Sequence, residues 1–393
     1  MTADPLSLAS IAELTQRLIR IPSVNPTLVP EEGQGEGAVA AFACEWLAQR
    51  GLRSWLDPVA PGRANAVAEV TGEAGPTLVL CAHLDTVGTA DMTISPFEPR
   101  FESGRIYGRG SYDMKGAAAA VMSAAAAVAG GGGFRGRLLV ALVADEEYAS
   151  LGAVDFVERY EADGCIVTEP SAGELVLAHK GFVWCEIVTR GKAAHGSRWD
   201  LGVSAIGRMG RVIAALEQFD SGELRRRRHA LVGPASLHCA LIEGGAGLST
   251  YAPECRLRIE RRTLPGETPD QVLEEIRTVI RSAGEEAEVR NLFHRSPLTC
   301  DRDAGIARCV RSSAEAVTGR APREAGVQFW MDAAIFGEAG IPTVNYGPSG
   351  EGAHEPVEWV DAESLVTCAR VLAECAPTYH RYAPAAGTAR GSP

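Results

Sequence analysis

The run Thr77-Leu-Val-Leu-Cys-Ala-His-Leu-Asp85 decides the fold, because it is an apolar segment that ends in a histidine and an aspartate. The alanine-rich segment Gly116–Ala129 follows and is predicted as a helix, and Arg137–Ala144 is a second apolar run. A strand, a helix and a strand in this order predict a βαβ unit, whose strands are parallel and covered on both faces. In such a sheet the chemistry lies outside the carboxyl ends of the strands.

The same alternation continues outward from this unit and is interrupted once. Further helices and strands are predicted at Ser7–Arg20, Gly37–Arg50, Ala66–Val70, Cys165–Thr168, Gly305–Thr318, Asp332–Ala339 and Thr343–Tyr346. From about Gly181 strands interleave with two helices, which predicts an α+β module of the ferredoxin-like type. Its elements are Phe182–Thr189, Val203–Phe219, Ser236–Glu243, Cys255–Arg261 and Pro269–Ser282. We therefore predict an α/β fold. Residues 1–180 and 297–393 form one domain with a mostly parallel sheet and helices on both faces, and residues 181–296 form an inserted α+β domain.

Charge and composition exclude several classes of function. The chain of 393 residues carries 38 Lys and Arg against 50 Asp and Glu, and its net charge of −12 argues against nucleic-acid and membrane partners. No apolar run approaches the ~20 residues of a membrane span, and the N-terminus lacks the pattern of a secretion signal. The ten cysteines are scattered without a Cys-x-x-Cys pair, which indicates free thiols in a reducing cytoplasm. The tail after Ala383 is expected to be disordered.

Histidines and carboxylates collect at the predicted strand ends. His83 and Asp85 project to the same side of their strand, and a carboxylate so placed can hold the second nitrogen of a metal-bound imidazole. Asp113 lies in the loop Gly108-Arg-Gly-Ser-Tyr-Asp-Met-Lys-Gly116, just before the alanine-rich helix. The alternatives are a buried structural pair for the first two residues and a helix-flanking aspartate for the third.

Further carboxylates and a second histidine complete the set. Leu142-Val-Ala-Asp-Glu-Glu147 ends the most apolar strand, and adjacent carboxylates repel each other unless a cation lies among them. Neighbouring side chains on extended backbone point apart, so Glu146 and Glu147 can perform different tasks. Glu169 follows another apolar run, and His354 lies in a glycine-rich loop. Each residue alone could be structural, whereas together they favour Zn²⁺, Co²⁺ or Mn²⁺, with room for two metals roughly 3.5–4 Å apart.

In order and spacing these segments resemble the co-catalytic zinc metallopeptidase family of acetylornithine deacetylase, succinyl-diaminopimelate desuccinylase, aminoacylases and glutamate carboxypeptidase. The resemblance implies two metal ions, most often zinc, with cobalt and manganese as alternatives. Asp113 would bridge the two ions. His83 and Glu169 would bind one ion, and Glu147 and His354 would bind the other.

The resemblance covers roughly residues 8–378 and assigns further roles close to the metals. It implies that Asp85 orients His83. It also implies that Glu146 is the general base acting on a water that bridges the two metals.

The inserted domain corresponds, by the same resemblance, to a lid that commonly forms a dimer interface. Gly191-Lys-Ala-Ala-His-Gly-Ser197 matches the segment of the lid histidine, so His195 is the candidate donor to the developing oxyanion, reaching the partner's site in dimeric relatives. Arg262 is the candidate ligand for a substrate carboxylate, while Arg261 is expected to be solvated. Thr250 stands where many relatives carry asparagine, which is a departure from the family pattern.

These features predict a cytoplasmic, homodimeric hydrolase that cleaves the amide bond of N-acyl amino acids, as acetylornithine deacetylase does. Its partners would be small molecules, either N-acyl amino acids or short peptides. A metallo-carboxypeptidase or dipeptidase on the same scaffold is the alternative. A non-catalytic binding protein is disfavoured, because it would be expected to have lost Glu146 or a metal ligand, and this chain retains them all.

Overall fold

The computed structural model describes residues 4–383, so the tail predicted after Ala383 lies outside the described residues. These residues form two compact units. The first contains the residues up to Leu177, Cys300–Ala325 and the residues from Met331 on, and the second contains Ala178–Thr299 and Gly326–Trp330.

The segment Gly326–Trp330 belongs to the second unit, whereas the predicted boundaries place residues 297–393 in one domain with residues 1–180. It joins the second unit through side chain to backbone hydrogen bonds. The indole of Trp330 donates to the carbonyl of Ser296 at 3.0 Å, and the guanidinium of Arg262 donates to the carbonyl of Gln328 at 2.7 Å. No local sequence pattern predicts that this segment packs with the second unit.

The first unit is built on a sheet whose middle strands are parallel. In spatial order the strands are Arg53–Ala60, Arg63–Thr71, Arg135–Val143, Glu73–His83, Gly164–Val167, Thr343–Asn345 and Leu175–His179. The four strands from Arg135–Val143 to Thr343–Asn345 pair in parallel, and the strands outside them pair antiparallel. The predicted α/β fold with a mostly parallel central sheet is confirmed. The antiparallel strand Arg53–Ala60 is an addition that the sequence did not suggest.

Helices cover both faces of this sheet. One face packs against the helices Leu8–Ile19, Gly37–Ala48, Gly116–Gly130, Gly305–Thr318 and Ala362–Thr378. The other face carries Leu151–Arg159 and Ala333–Glu338, whose side chains Phe156 and Phe336 pack with ring centroids 5.8 Å apart. The helix Gly116–Gly130 is buried around almost its whole circumference, which its alanine-rich composition permits because small side chains allow neighbours on every side.

The second unit has the predicted ferredoxin-like arrangement of strands and helices. Its antiparallel sheet runs in the spatial order Ser236–Gly244, Glu254–Thr263, Gly181–Arg190 and Glu288–Arg295. The helices Ala205–Gly222 and Pro269–Ser282 pack their apolar side chains on the sheet and form a separate core with it. A capping box between Thr268 and Gln271 begins the second of these helices.

A small sheet in the first unit positions two of the loops that carry candidate ligands. Its strands, in spatial order, are Gly350–Glu351, Trp359–Asp361, Arg105–Tyr107 and Arg100–Glu102. Arg105–Tyr107 pairs antiparallel with Trp359–Asp361, so the loop that follows residue 107 lies beside the loop that precedes residue 359.

The remaining short strands are Arg228–His229, Gly233–Pro234, Leu298–Thr299 and Glu324–Val327. Among residues 4–383, no helix is long and apolar enough to cross a membrane.

Candidate metal centre

The predicted ligands converge because they follow strands that end at the same edge of the sheet. His83 is the last residue of Glu73–His83, and Glu147 follows Arg135–Val143 after a sharp turn. The other ligands lie on connecting segments: Asp113 before the helix Gly116–Gly130, Glu169 after Gly164–Val167, and His354 between Gly350–Glu351 and Trp359–Asp361. Parallel strands bring their carboxyl ends together, and the structure brings all five of these side chains into one cluster.

The Asp113 carboxylate lies between the two imidazoles. Its Oδ1 is 3.0 Å from Nε2 of His83, and its Oδ2 is 3.2 Å from Nε2 of His354. Glu169 approaches the first imidazole at 3.5 Å, and Glu147 approaches the second at 3.1 Å. Each oxygen of Asp113 thus belongs to a different half of the cluster.

The donor set fits a divalent cation, and its two groups of ligand atoms share His83. Ligand atoms of His83, Asp113 and Glu147 lie within 4.8 Å of one another, and so do those of His83, Glu146 and Glu169. The atoms are imidazole nitrogens and carboxylate oxygens, which suit zinc, cobalt or manganese. The Asp113 carboxylate offers one oxygen to each half of the cluster, and a ligand shared by two cations would need this geometry.

The charges of the cluster also call for a cation. Burial, followed by the charge of Glu169, raises the pKa of Glu146 well above its usual value, and burial likewise raises the pKa of Glu147 and Glu169. Burial alone would lower the pKa of His83, but the charges of Glu169 and Asp113 hold it well above its usual value. Carboxylates outnumber imidazoles here, and a cation would relieve their repulsion.

Asp85 contacts both His83 and the turn that follows the next strand. The Nδ1 atom of His83 is 3.0 Å from the backbone oxygen of Asp85 and 3.6 Å from its carboxylate. The carboxylate accepts the backbone N–H groups of Glu146 and Glu147, each at 3.1 Å. Asp85 therefore lies where it can hold the imidazole and the two glutamates in one arrangement.

A buried polar network behind the cluster was not found from the sequence. The side-chain amide of Asn25 donates to the carboxylates of Asp85 at 2.8 Å and Asp145 at 2.9 Å. Arg63 pairs with Asp145 at 2.7 Å and donates through Nε to Glu36 at 2.8 Å. Asp145 adopts a positive φ of 72°, a conformation costly for a non-glycine residue that neighbouring contacts must hold in place. Asn25 stands before a proline, and this was the one local signal of a structured turn.

The candidate residues of the second unit have partners of their own. His195 is exposed, its Nδ1 lies 2.8 Å from the hydroxyl of Ser197 and accepts the backbone N–H of Ser197 at 3.3 Å, and its backbone pairs with Thr250. Arg262, besides its bond to Gln328, lies 3.8 Å from the carboxylate of Glu260. Arg261 is not solvated as predicted. It is 0% exposed and pairs with Glu267 at 2.6 Å, because its strand position faces the unit's core.

Comparison with known proteins agrees with this geometry. The model of peptidase family M20/M25/M40 matches residues 79–378. Acetylornithine deacetylase from Myxococcus xanthus is 32% identical over 334 residues, which are 82% of this chain and 85% of that protein.

Solved structures share the fold over nearly the whole chain. The aminopeptidase PepT from Bacillus cereus superposes with a TM-score of 0.78 at 20% identity, covering 95% of this chain and 99% of its own. The YXEP protein of Bacillus subtilis, described as a dinuclear metal binding peptidase from the M20 family, superposes with a TM-score of 0.75 at 18% identity, covering 95% and 99%.

Proposed function

The chain belongs to peptidase family M20/M25/M40 and is a hydrolase of amide bonds, and from this premise we propose that it removes the acyl group from N-acyl amino acids. The likeness to acetylornithine deacetylase supports the substrate class. The observation that carries the chemistry is the Asp113 carboxylate, held between the imidazoles of His83 and His354 at 3.0 and 3.2 Å.

Two divalent ions are the proposed cofactor, with zinc as the first choice and cobalt or manganese as alternatives. Asp113 would bind both ions, His83 and Glu169 would bind one, and Glu147 and His354 would bind the other. When bound, such ions supply Lewis-acid activation of water and of the amide carbonyl. The chain's own contribution is to hold these ligands in a fixed cluster.

Glu146 is the proposed general base. It lies within the ligand cluster beside His83 and Glu169, and its backbone is fixed by the carboxylate of Asp85. Its carboxylate would accept a proton from water and deliver it to the nitrogen of the departing amine. Burial raises the pKa of Glu146 above its usual value.

Two residues of the second unit are proposed to act on the substrate. The imidazole of His195 would donate a hydrogen bond to the oxygen that gains charge as the amide carbon becomes tetrahedral. Arg262 would pair with the α-carboxylate of the substrate, since a guanidinium fork suits a carboxylate. Burial lowers the pKa of Arg262, which is still far too high for the guanidinium to lose its charge near neutral pH.

A metallo-carboxypeptidase or dipeptidase is the second candidate. The likeness in fold to an aminopeptidase and to a dinuclear metal binding peptidase favours it. Both candidates use the same cluster, so they differ in the group that leaves the scissile amide.

We also propose that the enzyme is a cytoplasmic homodimer. The strand Ser236–Gly244 lies at one edge of the second unit's sheet, and its residues Leu241 and Ile242 are 57% and 55% exposed. An exposed edge strand with apolar side chains is a template for pairing with another copy. The cysteines of the described residues are free thiols, as expected of a chain that resides in the reducing cytoplasm.

The experiment that tests this function is a metal-dependent substrate screen. The purified chain is dialysed against a chelator and reconstituted with Zn²⁺, Co²⁺ or Mn²⁺. It is then assayed on acetyl-ornithine, acetyl-methionine and a panel of dipeptides. We expect hydrolysis of the acetyl amino acids to disappear with the metal and to return on reconstitution. The same substrates with an amidated α-carboxylate should react poorly.

Each result separates the candidates. Faster cleavage of dipeptides than of acetyl amino acids would favour the peptidase. Full activity after metal removal would exclude the two-metal chemistry. Equal turnover of free and amidated carboxylates would remove the role proposed for Arg262.

A further inference from the structure

Glu358 has no role in the chemistry proposed above, yet it is a charged side chain with 0% exposure beside the metal centre. It lies four residues after His354 in the same loop. We propose that Glu358 is a positioning residue that holds the loop of Asp113 against the loop of His354, so that both ligands reach the metals together. This inference rests on the proposed two-metal use of Asp113.

The carboxylate of Glu358 accepts hydrogen bonds from the loop that carries Asp113. Its Oε1 accepts the backbone N–H groups of Tyr112 at 2.8 Å and of Asp113 itself at 3.0 Å. Its Oε2 accepts the backbone N–H of Gly110 at 2.9 Å and the guanidinium of Arg109 at 3.0 Å. Both oxygens are therefore saturated by donors, and only an ionised carboxylate can accept at all of these positions.

Backbone contacts bind the two loops together on either side of this carboxylate. The N–H of Gly108 donates to the carbonyl of Glu358 at 3.2 Å. The strands Arg105–Tyr107 and Trp359–Asp361 pair immediately beyond it. Glu358 is thus joined to Asp113 by a direct hydrogen bond and to His354 by a short piece of chain.

Arg109 makes the arrangement costly to disturb. Its side chain is 1% exposed, and it donates to the carbonyls of Gly88 at 3.0 Å and Glu355 at 3.4 Å as well as to Glu358. Loss of the Glu358 charge would leave a buried cation without its main partner. A buried charge without its partner makes the surrounding structure rearrange, and the backbone N–H of Asp113 is part of those surroundings.

The test compares Glu358→Gln with Glu355→Gln in the full chain. The two glutamates lie in the same loop and the substitutions remove the same charge, but Glu355 is exposed. In Glu358→Gln the amide NH₂ replaces one acceptor and faces N–H donors, so the Asp113 loop must shift. We expect the affinity for Zn²⁺, measured by competition with a chromogenic chelator, to fall about 10–100-fold, as on loss of a residue that orients a metal ligand.

Turnover provides the second readout. For Glu358→Gln, kcat should fall in a similar proportion while KM changes less than about threefold, since no substrate contact is removed. Glu358→Asp keeps the charge and should recover part of the zinc affinity. Glu355→Gln should match the unmodified chain in zinc affinity, kcat and KM.

The proposal would be overturned if Glu358→Gln bound Zn²⁺ as tightly as the unmodified chain and differed from it only in a lower melting temperature. An equal loss of zinc affinity in Glu355→Gln would also overturn it. If Glu358→Gln does not fold, Glu358→Asp decides, because unchanged zinc affinity in that variant contradicts a role that depends on these distances. Zinc affinity is measured without substrate. The effect of Glu358→Gln on zinc binding can therefore be judged even if the chain does not hydrolyse N-acyl amino acids.

Discussion

The candidate metal ligands of the first unit lie at one edge of its sheet, which we call the ligand edge (His83, Asp113, Glu147, Glu169 and His354). This edge and the loop of His195 in the second unit hold their side chains in opposite ways. At the ligand edge, Asp113 is hydrogen-bonded to both imidazoles and, through its backbone, to Glu358. In the second unit, His195 is exposed, and its imidazole is hydrogen-bonded to the hydroxyl and the backbone N–H of Ser197, two residues away. The partners of Asp113 hold its carboxylate in one position. His195 is bonded to a single neighbouring residue and can reorient at small cost.

This difference follows from the two kinds of sheet. The parallel strands Glu73–His83, Arg135–Val143 and Gly164–Val167 all end at one edge, so consecutive βα connections deliver their ligands to the same place. The antiparallel strands of the second unit end alternately at opposite edges, and their loops do not collect in this way. The roles proposed above would therefore divide between a preorganised cluster in the first unit and groups of the second unit that become ordered with substrate.

The largest expected effect tests the division of work between two adjacent residues of the ligand edge. Glu146→Gln should lower kcat by about 10²–10⁴-fold while metal content stays unchanged, because the role proposed for Glu146 is that of a general base and not of a ligand. Glu147→Gln should lower metal content as well as rate, because Glu147 contacts His354 within the donor set. Metal analysis alongside steady-state kinetics on both variants measures this difference.

The two variants serve as controls for each other, since each replaces one glutamate of the same turn. Loss of a metal ion in Glu146→Gln together with full occupancy in Glu147→Gln would mean that the two roles are exchanged. Normal turnover in both would make these carboxylates structural.

The second effect, in the other unit, is expected to be smaller and purely kinetic. His195→Gln should lower kcat by roughly 10²–10³-fold, the usual result of removing one oxyanion donor. The melting temperature and the metal content should not change, because the imidazole is exposed and its hydrogen bonds are to Ser197 alone among the described residues. His294→Gln, which replaces an exposed histidine of the same unit, is the matched control and should keep full activity.

An unchanged rate in His195→Gln would show that the site is completed within the first unit. A parallel loss of metal or of melting temperature would contradict the inferred contrast between the two units, because it would show that His195 is part of a rigid arrangement.

The ligand edge could be predicted because its residues follow strands. Apolar runs that end in His83 and Glu147 identify both the strand and the edge where the side chain lies, and His354 and Asp113 follow from their glycine-rich loops. Arg261 and Arg262 show the limit of this reasoning. They are neighbours on one strand, and the alternating apolar residues Cys255, Leu257 and Ile259 place Arg261 on the core side. The expectation of a solvated Arg261 was wrong because it followed the usual exposure of arginine rather than this alternation.

The supporting residues escaped prediction for a physical reason. Asn25 and Glu358 lie on irregular segments, and Arg63 is the first residue of a strand. The hydrogen bonds and ion pairs of all three join residues far apart in the chain. No periodicity marks such a residue as buried, and an arginine or glutamate in a loop is most often exposed. The placement of Gly326–Trp330 in the second unit was not predicted for the same reason, because this segment joins that unit through tertiary hydrogen bonds.

The smallest expected effect concerns the stability of the ligand edge without metal. Hydrogen bonds with Asp113 and Glu147 raise the pKa of His354 to about 10, above an ordinary value of about 6.5. Below that ordinary value the imidazole is charged in the folded and the unfolded chain alike, and its pairing with the carboxylates contributes fully. Between the two values only the folded chain keeps the proton, so this contribution falls as pH rises, and above about pH 10 it is lost.

The melting temperature of the metal-free chain should therefore decline from pH 6.5 to pH 10 more steeply than that of His354→Gln, which lacks the titrating group. The His354 side chain is 52% exposed, so solvent screening limits the difference to less than about 1 kcal/mol, which corresponds to about 1 °C in a chain of this length. With zinc bound the imidazole is a neutral ligand, and the two chains should then show parallel profiles over this range. A steeper decline in His354→Gln than in the unmodified metal-free chain would contradict the pairing of His354 with Asp113 and Glu147.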